Sequence, residues 1–444
     1  MFKNPTQLLA HVLIRATRFR PVQVWLHQLA TAYKRTQTQD TPTAGFDIPE
    51  ITPIHPRAGA TSDKPRLNLL VPAVSQKHVF GGIETSLQVF ELIRQHFGSV
   101  RIVVTDESVP EPKSGAYYSA WPIVTLRQEA PNENHIVVAG DRWNQTLELH
   151  ANDYFMVTAW WTAHAALDIL DWQRQQYPQI QSRRLLYFIQ DFEPGFYPWS
   201  SRYVLAQATY NPSQKIIAVI NSSWLQTFLH DQGHFFFREY VHQPSLHPVL
   251  ALARNRRTFF RKERQLLVYG RPGTDRNAFP IVVAALRLWV QRYPAARHWK
   301  ILSAGEDFSA IDLGLGCQLQ SLGKVSIETY AELLSSTAVG LSLMISPHPS
   351  YPPLEMAAFG VRVVTNQFAN KNLASVSSYL STIEHPDPDK LATQLVVLSA
   401  NFDALAPDAR LLDRFQIDWH DDFLQPGANA WAWTTEAAKE LLST

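Results

Sequence analysis

Short apolar runs alternate with amphipathic stretches along most of the chain. The runs "RLNLLVPAV", "VRIVVT", "HIVVAG", "YFMVTAWW", "RRLLYFIQD" and "KIIAVIN" have the length and continuous apolar character of strands buried on both faces. Between them, "GIETSLQVFELIRQHFG", "AHAALDILDWQRQQYP" and "SSWLQTFLHDQG" repeat apolar residues at helical spacing. Buried strands that alternate with helices predict a parallel, doubly wound α/β sheet.

The same alternation starts again after an interruption. The stretch "HQPSLHPVLALARNRRTFFRKERQ" is basic and polar and breaks the pattern. Strands are then predicted for "LLVYG", "HWKILSAG", "CQLQSLG", "VGLSLMIS" and "VRVVTN", with helices such as "AFPIVVAALRLWVQRYP" and "SIETYAELLSSTA" between them. We therefore predict two Rossmann-like α/β domains in tandem, with a cleft between them.

The predicted boundaries divide the 444 residues into five segments, since a chain of this length favours two domains of ordinary size. Residues 1–40 form a basic helical segment, and residues 41–65, rich in Pro, Thr and Gly, form a linker. Residues 66–245 and 246–425 form the two domains. Residues 426–444 form a terminal helix, for which a return to the N-terminal domain is one option.

The overall composition excludes several functional classes. A net charge of +1 provides no field that would attract nucleic acid, so no nucleic-acid partner is expected. The single cysteine, Cys317, excludes a disulfide within the chain and suits a reducing, cytoplasmic compartment. No apolar run approaches the roughly 20 residues that span a bilayer.

The N-terminal 40 residues have an unusual charge pattern. Basic residues such as Arg15, Arg18 and Arg20 meet no acid before Asp40, and apolar residues recur among them at helical spacing. Two interpretations remain open. The segment is either an amphipathic helix on an anionic surface, giving peripheral contact with the cytoplasmic face of the inner membrane, or a helix packed on its own domain.

Candidate chemistry in the second domain lies where its strands end, because ligands of open α/β sheets bind beyond the carboxyl ends of the strands. Arg271 and Arg276 follow "LLVYG", and Lys324 follows "CQLQSLG". Guanidinium groups at a helix start suit a diphosphate. Glu355, placed by the pattern in the first turn of a helix, accepts hydrogen bonds and suits a ribose. Each residue alone could be an ordinary surface or helix-start residue, but their convergence favours a nucleotide site.

Candidate chemistry in the first domain lies at the corresponding strand ends. Gly81 and Gly82 allow close backbone approach to a ligand, although a tight turn would explain them equally well. Acids and aromatics that together suit a sugar follow two further strands: Asp191, Glu193, Trp160, Trp161 and Tyr197. The alternative is that Asp191 caps a turn and the aromatics belong to the core. The dinucleotide pattern G-x-G-x-x-G, the P-loop and zinc-ligand spacings are absent, so no metal or cofactor is predicted.

Four separated motifs resemble one family in order and spacing. They are "HVFGGIETSLQVFE", "YFIQDFEPGFYPWSS", "YGRPGTDRNAF" and "SLMISPHPSYPPLEMAAFGVRVVTN". From about Leu67 onward the chain resembles retaining glycosyltransferases of the GT-B fold, family GT4, and most narrowly the WsaF-type rhamnosyltransferases. Those enzymes build bacterial surface polysaccharide from dTDP-β-L-rhamnose. The resemblance implies an acceptor domain followed by a donor domain.

The resemblance also implies roles for individual residues. Arg271 and Lys324 match basic residues that hold the nucleotide diphosphate, with Arg276 beside them, and Glu355 matches the glutamate that binds the ribose. Gly81 and Gly82 match the glycine loop that faces the donor. The predicted site is completed by Pro352, Pro353 and Leu354 in the donor set and by Asp191 and Arg271 as catalytic residues. From the acids and aromatics at the strand ends of the first domain, we predict Glu193, Trp160, Trp161 and Tyr197 as acceptor-binding residues.

Two positions depart from the family pattern. Pro347 stands where wider GT4 members carry a glutamate eight residues before Glu355, and Gln190 replaces a histidine before Asp191. Sugar recognition is therefore expected to differ. The implied reaction is metal-independent transfer from dTDP-rhamnose to an oligosaccharide or lipid-linked glycan. The alternatives are a UDP- or GDP-sugar donor, or a non-catalytic glycan-binding scaffold.

Overall fold

The computed structural model describes residues 47–59, 64–74, 81–107, 118, 120–128, 131, 133–180, 183–420, 422–424, 427 and 430–443. The predicted basic helix at residues 1–40 lies outside these residues, as does part of the predicted linker. Residues Ile51–Thr444 form one unit that contains two α/β lobes. No helix among the described residues combines the length and apolar character needed to cross a bilayer.

The first lobe is built on a parallel sheet with the strand order β10-β9-β8-β7-β2-β3-β5-β4, and β1 pairs with β6 beside it. The strands are β1 (His55–Ala58), β2 (Arg66–Val71), β3 (Ser99–Val104), β4 (Ile123–Thr125), β5 (His135–Val138), β6 (Thr146–Leu149), β7 (Asp153–Val157), β8 (Leu185–Ile189), β9 (Ile216–Asn221) and β10 (Arg238–His242). The helices are α1 (Gly81–Ile93), α2 (Trp160–Gln176), α3 (Ser201–Ala208) and α4 (Ser223–Asp231).

The second lobe repeats this architecture with the order β14-β15-β13-β12-β16-β17-β18, and a separate ribbon pairs β11 with β19. Its strands are β11 (Phe259–Arg261), β12 (Glu263–Gly270), β13 (Lys300–Gly305), β14 (Ile311–Gly314), β15 (Cys317–Ser321), β16 (Thr337–Leu341), β17 (Arg362–Asn366), β18 (Leu380–Ile383) and β19 (Leu411–Asp413). Its helices are α5 (Pro248–Asn255), α6 (Phe279–Arg292), α7 (Ile327–Ser336), α8 (Tyr351–Ala358) and α9 (Pro388–Asp403). The last helix of the chain is α10 (Trp433–Leu442).

The apolar runs form the centres of both sheets, as the sequence predicted. Every residue of β7, β8, β9 and β16 is buried, because helices cover both faces of a parallel sheet. Ser222 caps α4 by accepting the N–H of Leu225, and Asp387 caps α9 by accepting the N–H of Lys390. The sequence "DPD", Asp387 to Asp389, therefore lies at the start of α9.

Several element boundaries differ from the predictions. Trp160 and Trp161 were assigned to the end of a strand, but β7 stops at Val157 and both tryptophans open α2. The basic stretch that interrupts the alternation, for which no element was predicted, contains helix α5 and strand β11. The hairpin partner β14, antiparallel to β15, was not predicted, because its four residues carry too little pattern.

The terminal helix α10 packs on the first lobe, although it follows the second lobe in sequence. It contacts α1, β8 and β9. Ala437, Ala438 and Leu441 are fully buried in the core cluster that also contains Phe90 and Phe188. The chain therefore leaves the first lobe, forms the second and returns.

Each sheet has a topological switch point where ligands of such folds bind. In the first sheet, β2 lies between β3 on one side and β7 on the other, and the chain builds outward in both directions. In the second sheet, β12 lies between β13 and β16 in the same way. The segments that follow these strands carry the candidate residues.

Candidate active site

The carboxyl edge of the second sheet places Arg271 beside an acid that was not predicted, Glu306. Arg271 follows β12, and its Nε lies 3.2 Å from Oε1 of Glu306, which follows β13. The other carboxylate oxygen accepts the N–H of Gly273 at 2.7 Å. Lys324 follows β15 and is exposed; partial burial lowers its pKa, Glu84 opposes that change and Arg271 reinforces it. Arg271 and Lys324 thus lie within electrostatic range of each other at one sheet edge.

Close approach of β12 and β13 places Arg271 beside Glu306. At Gly305, which has φ of +138°, an added Cβ would lie 2.4 Å from the carbonyl oxygen of Gly270. That oxygen belongs to the backbone and cannot move aside cheaply. The two glycines therefore let the strand ends meet where Arg271 leaves the sheet.

Substitution of Gly305 by alanine is expected to lower the free energy of unfolding by about 2–4 kcal/mol, because it combines a backbone clash with an unfavourable conformation. Gly314→Ala is the matched control. Gly314 also has a positive φ, +89°, but its added Cβ would meet no described atom within 4 Å, so a cost of about 1 kcal/mol is expected. Urea denaturation of both variants gives the comparison, and equal costs would show that the Gly270 contact is unimportant.

Glu355 lies one residue beyond the first turn of α8, which corrects the predicted position. The helix starts at Tyr351, so Pro352, Pro353 and Leu354 occupy the first turn, where proline is tolerated. Pro353 and Leu354 are buried, whereas Pro352 and Glu355 are partly exposed. Of the predicted donor set in this turn, only these two retain surface for a ligand.

Glu355 belongs to a group of titratable residues that links both lobes. Burial raises its pKa to about 7, while His247 and a hydrogen bond with Tyr330 act in the opposite direction. Nε2 of His247 lies 3.5 Å from Oε1 of Glu84, which comes from α1 in the first lobe. The hydrogen bond with Glu84 raises the pKa of His247. Two acids and one base thus meet beside Lys324, a setting suited to hydroxyl groups and a phosphate.

Asp191 and Arg276, predicted on opposite walls, are in direct contact across the lobes. Asp191 follows β8, and its carboxylate forms an ion pair with Arg276 and accepts a hydrogen bond from the Ser346 hydroxyl. The guanidinium carbon of Arg276 also lies 3.9 Å from the ring centroid of Phe196. The same carboxylate accepts the N–H of Phe192 at 2.8 Å. The cleft is therefore closed at this point, and Arg276 already has an anionic partner.

The predicted acceptor-binding residues divide into buried and accessible members. Trp160 and Glu193 are 0% and 1% exposed, and the Glu193 carboxylate accepts the backbone N–H of Trp160. Burial raises the pKa of Glu193 to about 8. Trp161 and Tyr197 are partly exposed. Trp160 donates Nε1–H to the Tyr197 hydroxyl at 3.1 Å. The buried Trp160 therefore supports Tyr197, which a ligand can contact.

The two glycines open α1, but Gly82 has a local packing role. An added Cβ would lie 2.0 Å from Oε1 of Gln190, whose Nε2 donates to the carbonyl of Thr158 at 2.6 Å. Gln190 thus occupies the space beside the start of α1 and ties it to the end of β7. Gly81 is the first residue of the helix.

Several residues of the site were not predicted from the sequence. These are Glu84, His247, Glu306, Ser346, His348 and Lys371. Only Glu306, which directly follows a predicted strand, carried a usable signal. Within the described ranges, no three His, Cys, Asp or Glu side chains converge in a way that could hold a metal ion.

Two family domains match the chain in the order of its lobes. The WsaF N-terminal domain matches residues 66–223, and the WsaF C-terminal domain matches residues 264–396, together more than half of the chain. The chain belongs to the WsaF family. The matched segments contain Asp191 on the first lobe and Arg271, Lys324 and Glu355 on the second, so the WsaF domains span both walls of the site.

Individual relatives extend this result. The chain is 30% identical over 302 residues to the O-antigen biosynthesis protein RfbC of Myxococcus xanthus; the match covers 67% of this chain and 21% of that protein. This chain thus spans about a fifth of the length of that relative.

Solved structures show the fold. Sucrose-phosphate synthase from Thermosynechococcus elongatus aligns with a TM-score of 0.50 at 12% identity, over 85% of this chain and 96% of that one. An α,α-trehalose-phosphate synthase (UDP-forming) from Burkholderia xenovorans gives 0.50 at 11% identity, over 85% and 99%. The predicted GT-B architecture and the predicted WsaF relationship are confirmed.

Proposed function

We propose that this WsaF-family chain is a retaining glycosyltransferase that moves a sugar from a dTDP-sugar donor, L-rhamnose in particular, to a growing cell-surface glycan. The acceptor is an oligosaccharide or a lipid-linked glycan, and the reaction takes place in the cytoplasm without a metal ion. The name of the Myxococcus relative, an O-antigen biosynthesis protein, supports a role in surface glycan assembly.

The observation that carries the proposal is the convergence of cations and acids at facing switch points. Arg271 and Lys324 share one sheet edge with Glu355, and Arg276 reaches across to Asp191. A nucleoside diphosphate sugar carries the complementary groups: two phosphates for the cations, ribose hydroxyls for Glu355 and sugar hydroxyls for the first-lobe wall.

In the proposed mechanism, the diphosphate joins the carboxylates as a partner of the arginines, whose remaining N–H groups are donors for it. Glu306 holds Arg271, and Asp191 holds Arg276, in the structure. When the bond from the sugar to the leaving phosphate breaks, negative charge develops on that phosphate. Cations already fixed at the sheet edge stabilise this charge without rearrangement.

Retention follows if the acceptor hydroxyl attacks from the face that the leaving diphosphate occupies. The acceptor proton then passes to the leaving phosphate as the new glycosidic bond forms. The first lobe supplies the facing wall, where Trp161 and Tyr197 are accessible to the acceptor. Contact between the lobes excludes water, which would otherwise compete with the acceptor.

A nucleotide panel tests this function. We expect dTDP to raise the melting temperature more than UDP or GDP at equal concentration, because the nucleotide with the lowest Kd stabilises the folded state most. A ligand at 100 times its Kd adds about 2.7 kcal/mol to the stability of the folded state. Glu355→Ala should remove most of that shift. The matched control is Glu263→Ala, which changes a half-exposed glutamate that pairs with Lys300 on the surface.

Transfer itself is tested with dTDP-rhamnose and a panel of oligosaccharide acceptors, with the anomeric configuration of the product read by NMR and the rate compared with and without EDTA. A larger shift with UDP or GDP would assign another donor. Binding of dTDP without transfer or donor hydrolysis would instead support a non-catalytic scaffold.

A further inference from the structure

The loop between β16 and α8 holds one imidazole, His348, in a fixed orientation. Its backbone N–H donates to the Ser346 hydroxyl oxygen at 3.0 Å, and its Nδ1 accepts the N–H of Ser350 at 3.1 Å. Because Nδ1 is the acceptor, the proton of the neutral ring lies on Nε2. Ser350 has φ of +68° and ψ of 134°, a backbone conformation that is rare for a residue with a side chain and that clusters at functional sites.

The Nε2–H of His348 is buried and has no hydrogen-bond partner among the described residues. His348 as a whole is 8% exposed. Buried polar groups are nearly always paired, so a buried N–H that the surrounding loop orients but does not satisfy costs free energy. A ligand with an oxygen at this position would remove that cost.

The ring lies among charged groups from both lobes. Burial lowers the pKa of His348 to about 4; Asp191 opposes this shift, whereas Lys371 and Arg276 reinforce it. The ring is therefore neutral at physiological pH and acts only as a hydrogen-bond donor at Nε2. Lys371 is itself buried, with Nζ donating to the carbonyl of Met344 at 2.7 Å.

His348 also lies between the two parts of the candidate site. On one side, Ser346 links its loop to Asp191. On the other, its ring centroid lies 5.8 Å from that of Tyr351, the first residue of the helix that carries Glu355. A donor whose nucleotide contacts Arg271 and Glu355 would therefore direct its sugar toward His348 and Asp191.

We propose that the Nε2–H of His348 donates a hydrogen bond to an oxygen of the transferred sugar, so that His348 is a specificity-determining residue for the donor. This inference rests on the proposed function. The neighbouring Pro347 has neither a side-chain donor nor an acceptor, so His348 is the residue of this pair that can form a polar side-chain contact.

The test compares free dTDP with dTDP-rhamnose on the full-length protein. His348→Leu removes the N–H with little change in volume, and we expect it to weaken dTDP-rhamnose binding roughly tenfold, measured by calorimetry, while dTDP binds as before. His348→Gln should restore most of the lost affinity, because its terminal amide can place an N–H near the position of Nε2.

The matched control is His234→Leu. It removes a partly buried histidine whose Nε2 is likewise unpaired among the described residues but which packs against Tyr210 in the first lobe.

Equal weakening of dTDP and dTDP-rhamnose binding in His348→Leu, or no weakening of either, would overturn the sugar contact alone. If the wild-type protein bound neither ligand, the donor assignment in the proposed function would fail, and the sugar contact with it. If His348→Leu does not fold, His348→Asn replaces it, because its amide oxygen can still accept the N–H of Ser350 while the donor at the position of Nε2 is lost. A roughly tenfold weaker binding of dTDP-rhamnose by His348→Asn with unchanged dTDP binding supports the contact, and unchanged binding of both ligands contradicts it.

Discussion

Replacing Arg271 by alanine is expected to lower the rate of sugar transfer by about 100- to 1,000-fold, the usual cost of removing one fixed donor that stabilises developing charge. The effect should be this large because Arg271 leaves the sheet at its switch point and its guanidinium is already held by Glu306. Steady-state kinetics with a dTDP-sugar would measure the change in kcat and KM separately.

Two further variants sharpen this prediction. Arg271→Lys keeps the charge but loses the planar, two-pronged geometry, so an intermediate rate is expected. Arg287→Ala is the control, since Arg287 is exposed on α6 and donates to the carbonyl of Asp312 at 3.3 Å, away from the candidate site. A rate for Arg271→Ala within a factor of three of the wild type would exclude the proposed stabilisation of the leaving group.

Replacing Glu193 by glutamine is expected to stabilise the protein at high pH. Burial raises the pKa of this carboxyl group to about 8, whereas an ordinary glutamate titrates near 4.5. The folded state therefore binds the proton more tightly than the unfolded state. The stability contributed by the protonated group is complete below pH 4.5, is mostly present at pH 5 and is lost as the pH rises through about 8. Each pKa unit corresponds to about 1.4 kcal/mol, so the total loss is on the order of several kcal/mol.

The measurement is the melting temperature of wild type and Glu193→Gln between pH 5 and pH 9. Glutamine resembles the protonated acid and can still accept the N–H of Trp160, so the two proteins should melt together at pH 5 and diverge by several degrees at pH 9. Glu384→Gln, at a side chain that is 75% exposed, is the control and should show no such divergence. A constant difference across the pH range would contradict a buried neutral carboxyl at this position.

The fold was predictable because its central strands are continuous runs of apolar residues. Runs such as "KIIAVIN" are buried along their whole length, and this is what a parallel sheet between two helical layers requires. Errors arose where tertiary contacts override local pattern. Trp160 and Trp161 resemble strand residues, yet they begin α2 because Glu193 caps the N–H of Trp160 from another segment.

The candidate site was predictable only in part, for a related reason. Arg271, Lys324 and Glu355 follow recognisable strands, so the switch-point rule locates them. His348, Lys371 and His247 acquire their environments from groups far away in sequence. No local pattern marks a histidine whose ring is fixed by Ser350 and whose neighbour across the cleft is Asp191. Such residues are found from the hydrogen bonds they make and the ones they lack.

The return of the chain to its first lobe has a practical consequence for dissecting the protein. The first lobe is discontinuous in sequence, because α10 comes after the whole second lobe and contributes Ala438 and Leu441 to its core. A fragment that ends at residue 245 would leave an apolar surface uncovered along α1 and would be expected to aggregate. The second lobe is in effect an insertion between two parts of the first. Isolating the first lobe therefore requires residues 430–443 to be rejoined to it through a linker, whereas the second lobe can be excised as one continuous piece.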